Sequence, residues 1–465
     1  MYLALIIILG ALFALSLLLC FGEALSPMAL VPLTMFAGCL LAYIGTAYWN
    51  DTPLSPDLVL LVFSSTSAFV LGGYICNLVL SKKVPRANIP KKGKASGNPS
   101  EGAHRGIPIE LGGTYKYVLL ACIVIFGLTI TVRETLQMAT DAGIQFSSYM
   151  EAAKAVRLQT STVFSSSNIS FSAGHSLLQR LLGKIGAAIN VISIFLFAYL
   201  IYIRSKNWKL NFMVLLMAVL AVAGSLTSGG RGGAFNYVLL FILSYWMLSA
   251  KDSRGDWHFA RKTLVVLASL ALTLGIAFYL ASYIVGRGTS DSLVSYLSFY
   301  FGCGFPSFQQ FLDGLVPGHS IAGFNTFHEQ LYFLQKLHVV SDMPAYGNTW
   351  VILDGYRSNV FTFVYRYYAD FGWIGATLIP FISGIFYQTV YNLFFIEGAP
   401  LWVQVLACQI PSVLFDIERD AKLFASSLTV NSISIYLIII VICTWLCLPQ
   451  KKGYTRRPYS LQGLS

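Results

Sequence analysis

The run YLALIIILGALFALSLLLC, residues 2–20, decides the fold class of this chain. It contains no charged side chain, and at about 1.5 Å per residue a helix of this length crosses the ~30 Å hydrocarbon core of a bilayer. It has no basic segment before it and no small-residue cleavage site after it. We therefore expect a retained membrane span and not a removed signal peptide.

Further apolar stretches of similar length follow along the chain. Of its 465 residues, 56% are hydrophobic and only 11% are charged, which is not the composition of a water-soluble globule. A membrane β-barrel would show short alternating segments, so helices are preferred. The sequence predicts an all-α, polytopic membrane protein with about eleven transmembrane helices in a single integral domain, residues 1–465. The predicted spans lie near 2–20, 27–49, 58–80, 115–132, 185–203, 210–226, 234–250, 263–285, 373–395, 401–416 and 429–448.

Positive charge is concentrated in alternate connecting segments. The chain has 31 Lys and Arg against 20 Asp and Glu, a net charge of +11. Nineteen of the 31 cations lie in 81–114 with Lys116, 204–209, 251–262 and 449–465. By the positive-inside rule these segments are cytoplasmic, so eleven spans place the N-terminus outside and the C-terminus in the cytoplasm. The basic balance then indicates contact with anionic lipid headgroups and no nucleic-acid partner.

The connecting segments differ in character. Residues 81–114, rich in Pro, Gly, Ser and Lys, predict a flexible basic cytoplasmic linker, and 449–465 a basic cytoplasmic tail. The first long external segment, 133–184, contains SSYMEAAKAVRLQ, which predicts a helix. That helix either lies on the membrane with a charged face or brings Arg157 to an anionic ligand.

A glycine-rich turn, SGGRGG (228–233), joins the predicted sixth and seventh spans. Gly230 and Gly232 flank Arg231, which lies where the seventh span begins. Because this span runs inward, the positive end of its helix dipole points outward beside a guanidinium, a combination that favours phosphate. The other interpretation is a glycine-rich hairpin whose arginine reaches lipid headgroups.

The same arrangement recurs at other inward-running spans. Arginines lie near the predicted outer starts of four of them, at Arg180, Arg231, Arg366 and Arg419. Four positive helix ends around one external chamber would hold a diphosphate at the membrane surface. Alternatively, each arginine anchors its own span to lipid phosphates.

The external segment 287–370 is strongly aromatic, with 19 Phe, Tyr or Trp among its 84 residues. It predicts partly buried interfacial helices with ring-lined pockets of the kind that suit carbohydrate, although aromatic belts at the interface have the same composition. Its ionisable residues include His328 and Asp370. The external histidines show no metal-ligand spacing, so we assign no metal site.

Several short motifs carry a family resemblance. They are SGGRGG at the start of a span, YFGCGFPSFQQFLD (300–313), NVFTFVYRYYADFG (359–372) and IERDAK (417–422) before the last span. Together with about eleven spans, they resemble the Wzy-type polymerases of O-antigen and capsular oligosaccharide repeat units. Asn359, Asp370 and Gly372 form the most specific part of the resemblance.

The resemblance implies a GT-C-like fold and an inverting glycosyltransferase that needs neither a metal nor another cofactor. The enzyme would act at the outer face of the bacterial cytoplasmic membrane. A polyprenyl-diphosphate-linked oligosaccharide would be the donor, and a sugar hydroxyl of another lipid-linked repeat unit the acceptor. A chain-length regulator and a flippase would be further partners.

The chemistry of such a transfer indicates roles for individual residues. Positive charge should stabilise the departing diphosphate, and a base should take the acceptor proton. For the base we nominate His328 or Asp370, the latter also placed where a helix cap is expected. The candidates for binding the diphosphate are Arg157, Arg231, Arg357, Arg366 and Arg419.

Three other functions fit the same sequence. A ligase that moves the finished polymer to another acceptor would use the same donor and topology. A polysaccharide or lipid transporter usually shows an internal repeat and polar or broken helices at mid-membrane, whereas the predicted spans are uncharged and unrepeated. A non-enzymatic member of an export complex would tolerate loss of the arginines.

Overall fold

The computed structural model describes residues 1–49, 52–80, 111–156, 177–227, 232–251, 257–284, 291–315, 323–340 and 350–448. Within them, ten helices are long and apolar enough to cross a membrane, which confirms the all-α, multi-pass fold class. The first eight are α1 (Tyr2–Leu19), α2 (Pro27–Gly45), α3 (Pro56–Leu80), α4 (Thr114–Asp141), α5 (Leu177–Tyr202), α6 (Trp208–Thr227), α7 (Gly232–Ala250) and α8 (Trp257–Ile284). Most of the predicted linker 81–114 and the whole tail 449–465 lie outside the described residues.

Short helices and one hairpin make up the described part of 287–370. They are α9 (Leu293–Gly302), α10 (Gly304–Leu312), α11 (His328–Lys336), β1 (Val351–Leu353) and β2 (Tyr356–Ser358). The helices agree with the prediction for this segment, but the antiparallel pairing of β1 with β2 was not predicted. Its local cause is the turn at Asp354 and Gly355, whose φ angles of 43° and 83° suit the tight two-residue loop of a hairpin.

The last third of the chain departs from the predicted spans. It contains α12 (Val364–Phe394), α13 (Leu401–Leu414), a 3₁₀ turn (Ile417–Arg419), a π-helical turn (Leu423–Ser427) and α14 (Val430–Cys447). The stretch 401–416 was predicted as a full span, but α13 has only 14 residues, about 21 Å of helix. The α-helix ends where the apolar run gives way to the charged sequence 416–422, and irregular turns continue the chain. The tenth predicted span is therefore a short helix followed by irregular turns.

Helix α12 is held against its neighbours in the bundle by close packing and by polar contacts. The backbones of α3 and α12 meet at Gly72 and Gly384, where a Cβ on either residue would collide with the other helix. Small residues permit this approach in membrane helices. Further along, the Gln388 side chain accepts a hydrogen bond from Ser26 Oγ (2.9 Å) and donates one to Asn392 (3.2 Å). These contacts fix the helix that carries much of the candidate site.

The bundle has two chemically different ends. At one end, which we call the loop end, Tyr2 Oη donates to the Thr52 carbonyl (3.2 Å) and Trp49 Nε1 donates to Ser298 Oγ (2.8 Å). At the opposite end, which we call the lysine end, Lys116 Nζ donates to the Trp445 carbonyl (2.6 Å). Residues predicted to share a face of the membrane thus lie at the same end of the bundle.

Candidate functional site

A cavity of about 270 Å³ opens at the loop end where the start of α12 meets the turns after α13. Three cationic side chains, two aspartates, two asparagines and two aromatic rings line it. One positive charge therefore remains after the aspartates are counted against the cations. The lining residues are Asn325, Asn359, Val360, Phe361, Tyr365, Arg366, Asp416, Arg419, Asp420 and Lys422.

Arg366 joins three separate parts of the chain at this cavity. It projects from the first turn of α12, and its Nε donates to Asp420 Oδ1 at 2.7 Å. Its Nη1 donates to the Asn325 carbonyl at 3.1 Å. The side chain is only 18% exposed, so the guanidinium is fixed and partly desolvated, conditions that strengthen its interaction with an anion.

A second group of charges lies on the turn after α13. Asp416 accepts from Arg419 Nη1 (3.2 Å) through Oδ1 and from Lys422 Nζ (2.8 Å) through Oδ2. Burial alone would raise the pKa of Asp416, but the attraction of Lys422 and Arg419 outweighs it and lowers this pKa below its ordinary value. Asp416 is therefore an anion that holds two cations at the cavity wall.

Two polar atoms on the same turn are buried without a hydrogen-bond partner among the described residues. They are Arg419 Nε and Glu418 Oε2. Glu418 is 4% exposed and packs where α2 has Gly38 instead of a larger residue. Burial first, and then repulsion by Asp416, raise the pKa of Glu418 to about 8. Burial and this repulsion thus favour the neutral form of Glu418.

Asp370 holds the loop before α11 against α12. Its Oδ1 accepts from the backbone N and side-chain Nδ2 of Asn325 at 3.1 and 2.9 Å, and its Oδ2 accepts from the backbone N of Thr326 at 2.6 Å. Both carboxylate oxygens are occupied, and Asp370 does not line the cavity. Its geometry is that of a clamp which positions Asn325, and through the Asn325 carbonyl also Arg366.

Gly372 sets the direction of the segment that carries Arg366 and Asp370. Its backbone angles, φ 57° and ψ −147°, interrupt the helical geometry of α12, and residues with a side chain rarely adopt them. The eight residues before it, from Val364, therefore point differently from the long span after it. A Cβ at this position would meet no neighbouring atom. Glycine is therefore required for its backbone angles and not because a side chain would collide.

His328 lies near the site but does not line the cavity. Its ring stacks on Tyr332 with centroids 6.3 Å apart and meets Phe324 edge-on at 5.8 Å. Its Nδ1 lies 3.7 Å from Glu329 Oε1, and the interaction with His328 lowers the pKa of Glu329. The base role that the sequence analysis gave to His328 stays a prediction, and the cavity as described does not support it.

The other predicted residues are distributed unevenly. Asn359 lines the cavity with Arg366 and Arg419. Arg357 does not, because it lies on the exposed face of β2 with its guanidinium 5.7 Å from the Trp350 ring. Gly232 is the first residue of α7, two residues before the predicted start of the seventh span. The remaining predicted residues, Arg157, Gly230 and Arg231, lie outside the described residues.

Sequence reasoning missed several members of the site. Asp416, Lys422 and Asp420 were not nominated, although the last two belong to the quoted motif IERDAK. The signal was present as an alternation of acidic and basic residues just before a span, a pattern that indicates local ion pairing. Among the described residues, no group of three or more His, Cys, Asp or Glu could hold a metal ion.

Comparisons with known proteins return no relative. No family model, no curated protein and no solved structure matches the chain. The motifs quoted above and the geometry of the cavity are thus the basis for a functional proposal.

Proposed function

We propose that the protein is a polymerase of lipid-linked oligosaccharide repeat units. It joins polyprenyl-diphosphate-linked units into O-antigen or capsular polysaccharide at the outer face of a bacterial cytoplasmic membrane. The observation that carries the proposal is that Arg366 and Arg419, far apart in the chain, line one cavity together with Asn359. The transfer is inverting, and the lipid diphosphate is the leaving group.

The cations of the cavity can stabilise the negative charge of the diphosphate leaving group. As the glycosidic bond breaks, negative charge develops on the diphosphate, and fixed cations in a partly desolvated site stabilise it. Arg366, Arg419 and Lys422 are the cations on the wall. Asp416 and Asp420 keep these cations in place without cancelling all of their charge.

The remaining wall suits a sugar. Phe361 and Tyr365 stack with ring centroids 4.1 Å apart, which gives the cavity an aromatic surface. Asn325 and Asn359 add amide groups that can donate and accept hydrogen bonds. Ring faces with a few amides beside a cationic patch match a sugar attached to a diphosphate.

A polysaccharide or lipid transporter is the second candidate, and one observation favours it. The chain between α13 and α14 is broken into short turns, and it buries Glu418. Broken helices and buried carboxyl groups occur where transporters bind coupling protons or ions. A transporter would move lipid-linked oligosaccharide without changing its length.

A reconstituted reaction separates these functions. The full chain is placed in lipid nanodiscs and supplied only with lipid-linked repeat units extracted from the source cells. A polymerase produces a ladder of chain lengths on a gel. A ligase or a transporter leaves the repeat units unjoined, and that result would refute the proposal.

The arginines are tested in the same assay. The double variant Arg366→Gln and Arg419→Gln should reduce the rate of ladder formation at least a hundredfold, because removing a single donor to a developing anion costs about 10²–10³ in rate. Arg133→Gln is the matched control, since Arg133 is exposed on α4. If the double variant makes the ladder at the rate of the control, the cavity does not hold the diphosphate.

A further inference from the structure

The three aspartates around the cavity use their oxygens differently. Both oxygens of Asp416 accept from cations, and both oxygens of Asp370 accept from the loop at 325–326. Asp420 accepts from Arg366 Nε at 2.7 Å and from the backbone N of Ala421 at 2.8 Å, but both bonds end on Oδ1. Among the described residues, Asp420 Oδ2 accepts no hydrogen bond.

The position of Asp420 makes the second oxygen usable. The residue lines the cavity and its side chain is 30% exposed. The contacts to Oδ1 fix the orientation of the carboxylate, since Arg366 is itself fixed by the Asn325 carbonyl at 3.1 Å. Asp420 is thus an oriented carboxylate with one oxygen available to a ligand.

We propose that Asp420 is the general base that activates the acceptor sugar. This inference rests on the proposed glycosyl transfer. The acceptor hydroxyl oxygen forms a bond to the anomeric carbon of the donor while its proton moves to Asp420 Oδ2. The bond from that carbon to the diphosphate oxygen breaks, and the diphosphate leaves with the electron pair beside the cations of the cavity.

The geometry separates this role from those of neighbouring groups. Both oxygens of Asp370 accept hydrogen bonds from the loop at 325–326, and neither Asp370 nor His328 lines the cavity. Asp416 is paired with two cations. In inverting glycoside hydrolysis a carboxylate is the base that activates the attacking water, and the acceptor hydroxyl takes the place of that water here. Arg366 is in addition a positioning residue, because it holds Asp420 Oδ1.

The test compares Asp420→Asn with the wild-type chain in nanodiscs. The amide keeps the size of the side chain and an oxygen for Arg366, but it cannot take a proton. We expect kcat for ladder formation to fall by about 10²–10⁴, the usual contribution of a general base, while the donor KM changes less than threefold. The acid limb of the pH profile of kcat/KM should also disappear. Asp313→Asn, at an exposed helix end, is the matched control and should retain full activity.

Binding of inorganic pyrophosphate, measured by calorimetry, provides a second readout. Asp420→Asn should bind it at least as tightly as wild type, because one negative charge leaves the cavity. If this binding is lost, the asparagine has perturbed the site and its activity does not test the base. The variant Asp420→Glu, which keeps a carboxylate, then tests the inference. A glutamate variant that binds pyrophosphate and recovers at least tenfold over the asparagine variant supports the inference. One that binds pyrophosphate without recovery overturns it.

Two further outcomes separate failure of the base assignment from failure of the proposed function. If Asp420→Asn forms the ladder within threefold of wild type, Asp420 is not the base although glycosyl transfer stands. If the wild-type chain forms no ladder from lipid-linked repeat units, the proposed function fails and this inference fails with it.

Discussion

The loop end and the lysine end of the bundle both hold cations that are at least partly buried, but the partners of these cations differ in charge. At the loop end, Arg366, Arg419 and Lys422 face aspartates around a cavity. At the lysine end, Lys116 is 3% exposed and donates to backbone carbonyls of Trp445, Leu446 and Leu448. Cations paired with carboxylates can exchange partners with an anionic ligand, whereas a cation on carbonyl oxygens serves the fold.

Another lysine at the lysine end, Lys251, also has uncharged partners. Lys251 donates to Gln404 Oε1 at 3.0 Å and lies 4.2 Å from the centre of the Phe394 ring. These two contacts are with an amide oxygen and a ring face, which stabilise a positive charge although neither group carries a formal charge. We therefore expect substitutions at the lysine end to change stability and substitutions at the loop end to change activity.

The largest effect expected at the lysine end is that of Lys116→Met. The variant keeps the length of the side chain but removes the donor that satisfies the last carbonyls of α14. Bonds to charged groups contribute about 1.5–3 kcal/mol each and unsatisfied buried acceptors carry a similar cost, so the free energy of unfolding should fall by about 3 kcal/mol. Thermal unfolding of the protein in detergent measures this change.

Ladder formation by the folded Lys116→Met variant should remain within twofold of wild type, in contrast to the arginine variants of the cavity. Lys209→Met is the control, because Lys209 is an exposed lysine near the start of another helix. Loss of activity in a folded Lys116→Met protein would show that the two ends do not divide stability and chemistry as described.

The fold could be predicted from the sequence because its cause is local. A run of apolar residues long enough to cross a bilayer has to form a helix there, so α1 and α14 end within one residue of their predicted limits. The prediction failed at α13 because the α-helix ends at Leu414, just before the charged sequence 416–422, whereas the apolar stretch was predicted to span to 416. The hairpin was missed although Asp354 and Gly355 mark a tight turn.

The candidate site was predictable only in part. Asn359, Arg366 and Asp370 lie within a dozen residues of one another and were nominated together. The contact between Arg366 and Asp420 joins positions that are distant in the sequence, and it depends on how the chain turns after α13. No periodicity or spacing encodes that contact. The roles of Asp370 and His328 likewise depend on which groups their side chains meet.

A smaller effect is expected from Gly372→Ala, which tests whether the loop end depends on a strained backbone. The φ of 57° is unfavourable for alanine, and such strain costs about 1–3 kcal/mol. We expect the free energy of unfolding to fall by about 2 kcal/mol. Ladder formation should fall as well, because the turn that carries Arg366 is redirected. Thermal unfolding and the ladder assay measure the two changes.

Gly232→Ala is the matched control for this variant. Gly232 is also a motif glycine with open space around it, but its position lies in the first turn of α7 and has no positive φ. Alanine there should leave stability unchanged or raise it by up to about 1 kcal/mol. Equal losses at both glycines would mean that the positive φ is not what requires glycine at Gly372, because both positions have room for a side chain.

The smallest effect concerns Glu418 and is a change in the free energy of unfolding with pH. Because its pKa is raised to about 8 in the folded protein, the folded state binds this proton more tightly than the unfolded chain does. Its contribution to stability is therefore complete below the ordinary carboxyl pKa and is lost as pH rises toward 8. Between pH 6 and 7 the wild-type chain should lose up to about 1.4 kcal/mol from this group. Unfolding in detergent at the two pH values measures the loss.

Glu418→Gln should remove that part of the pH dependence, because the amide remains neutral in both states. Glu397→Gln, at an exposed site of the lysine end, controls for the loss of one carboxyl group and should keep the wild-type slope. If Glu418→Gln also keeps that slope, Glu418 is ionised at pH 7. The loop end would then bury an additional negative charge beside Asp416, and its cations would be fully neutralised before any ligand arrives.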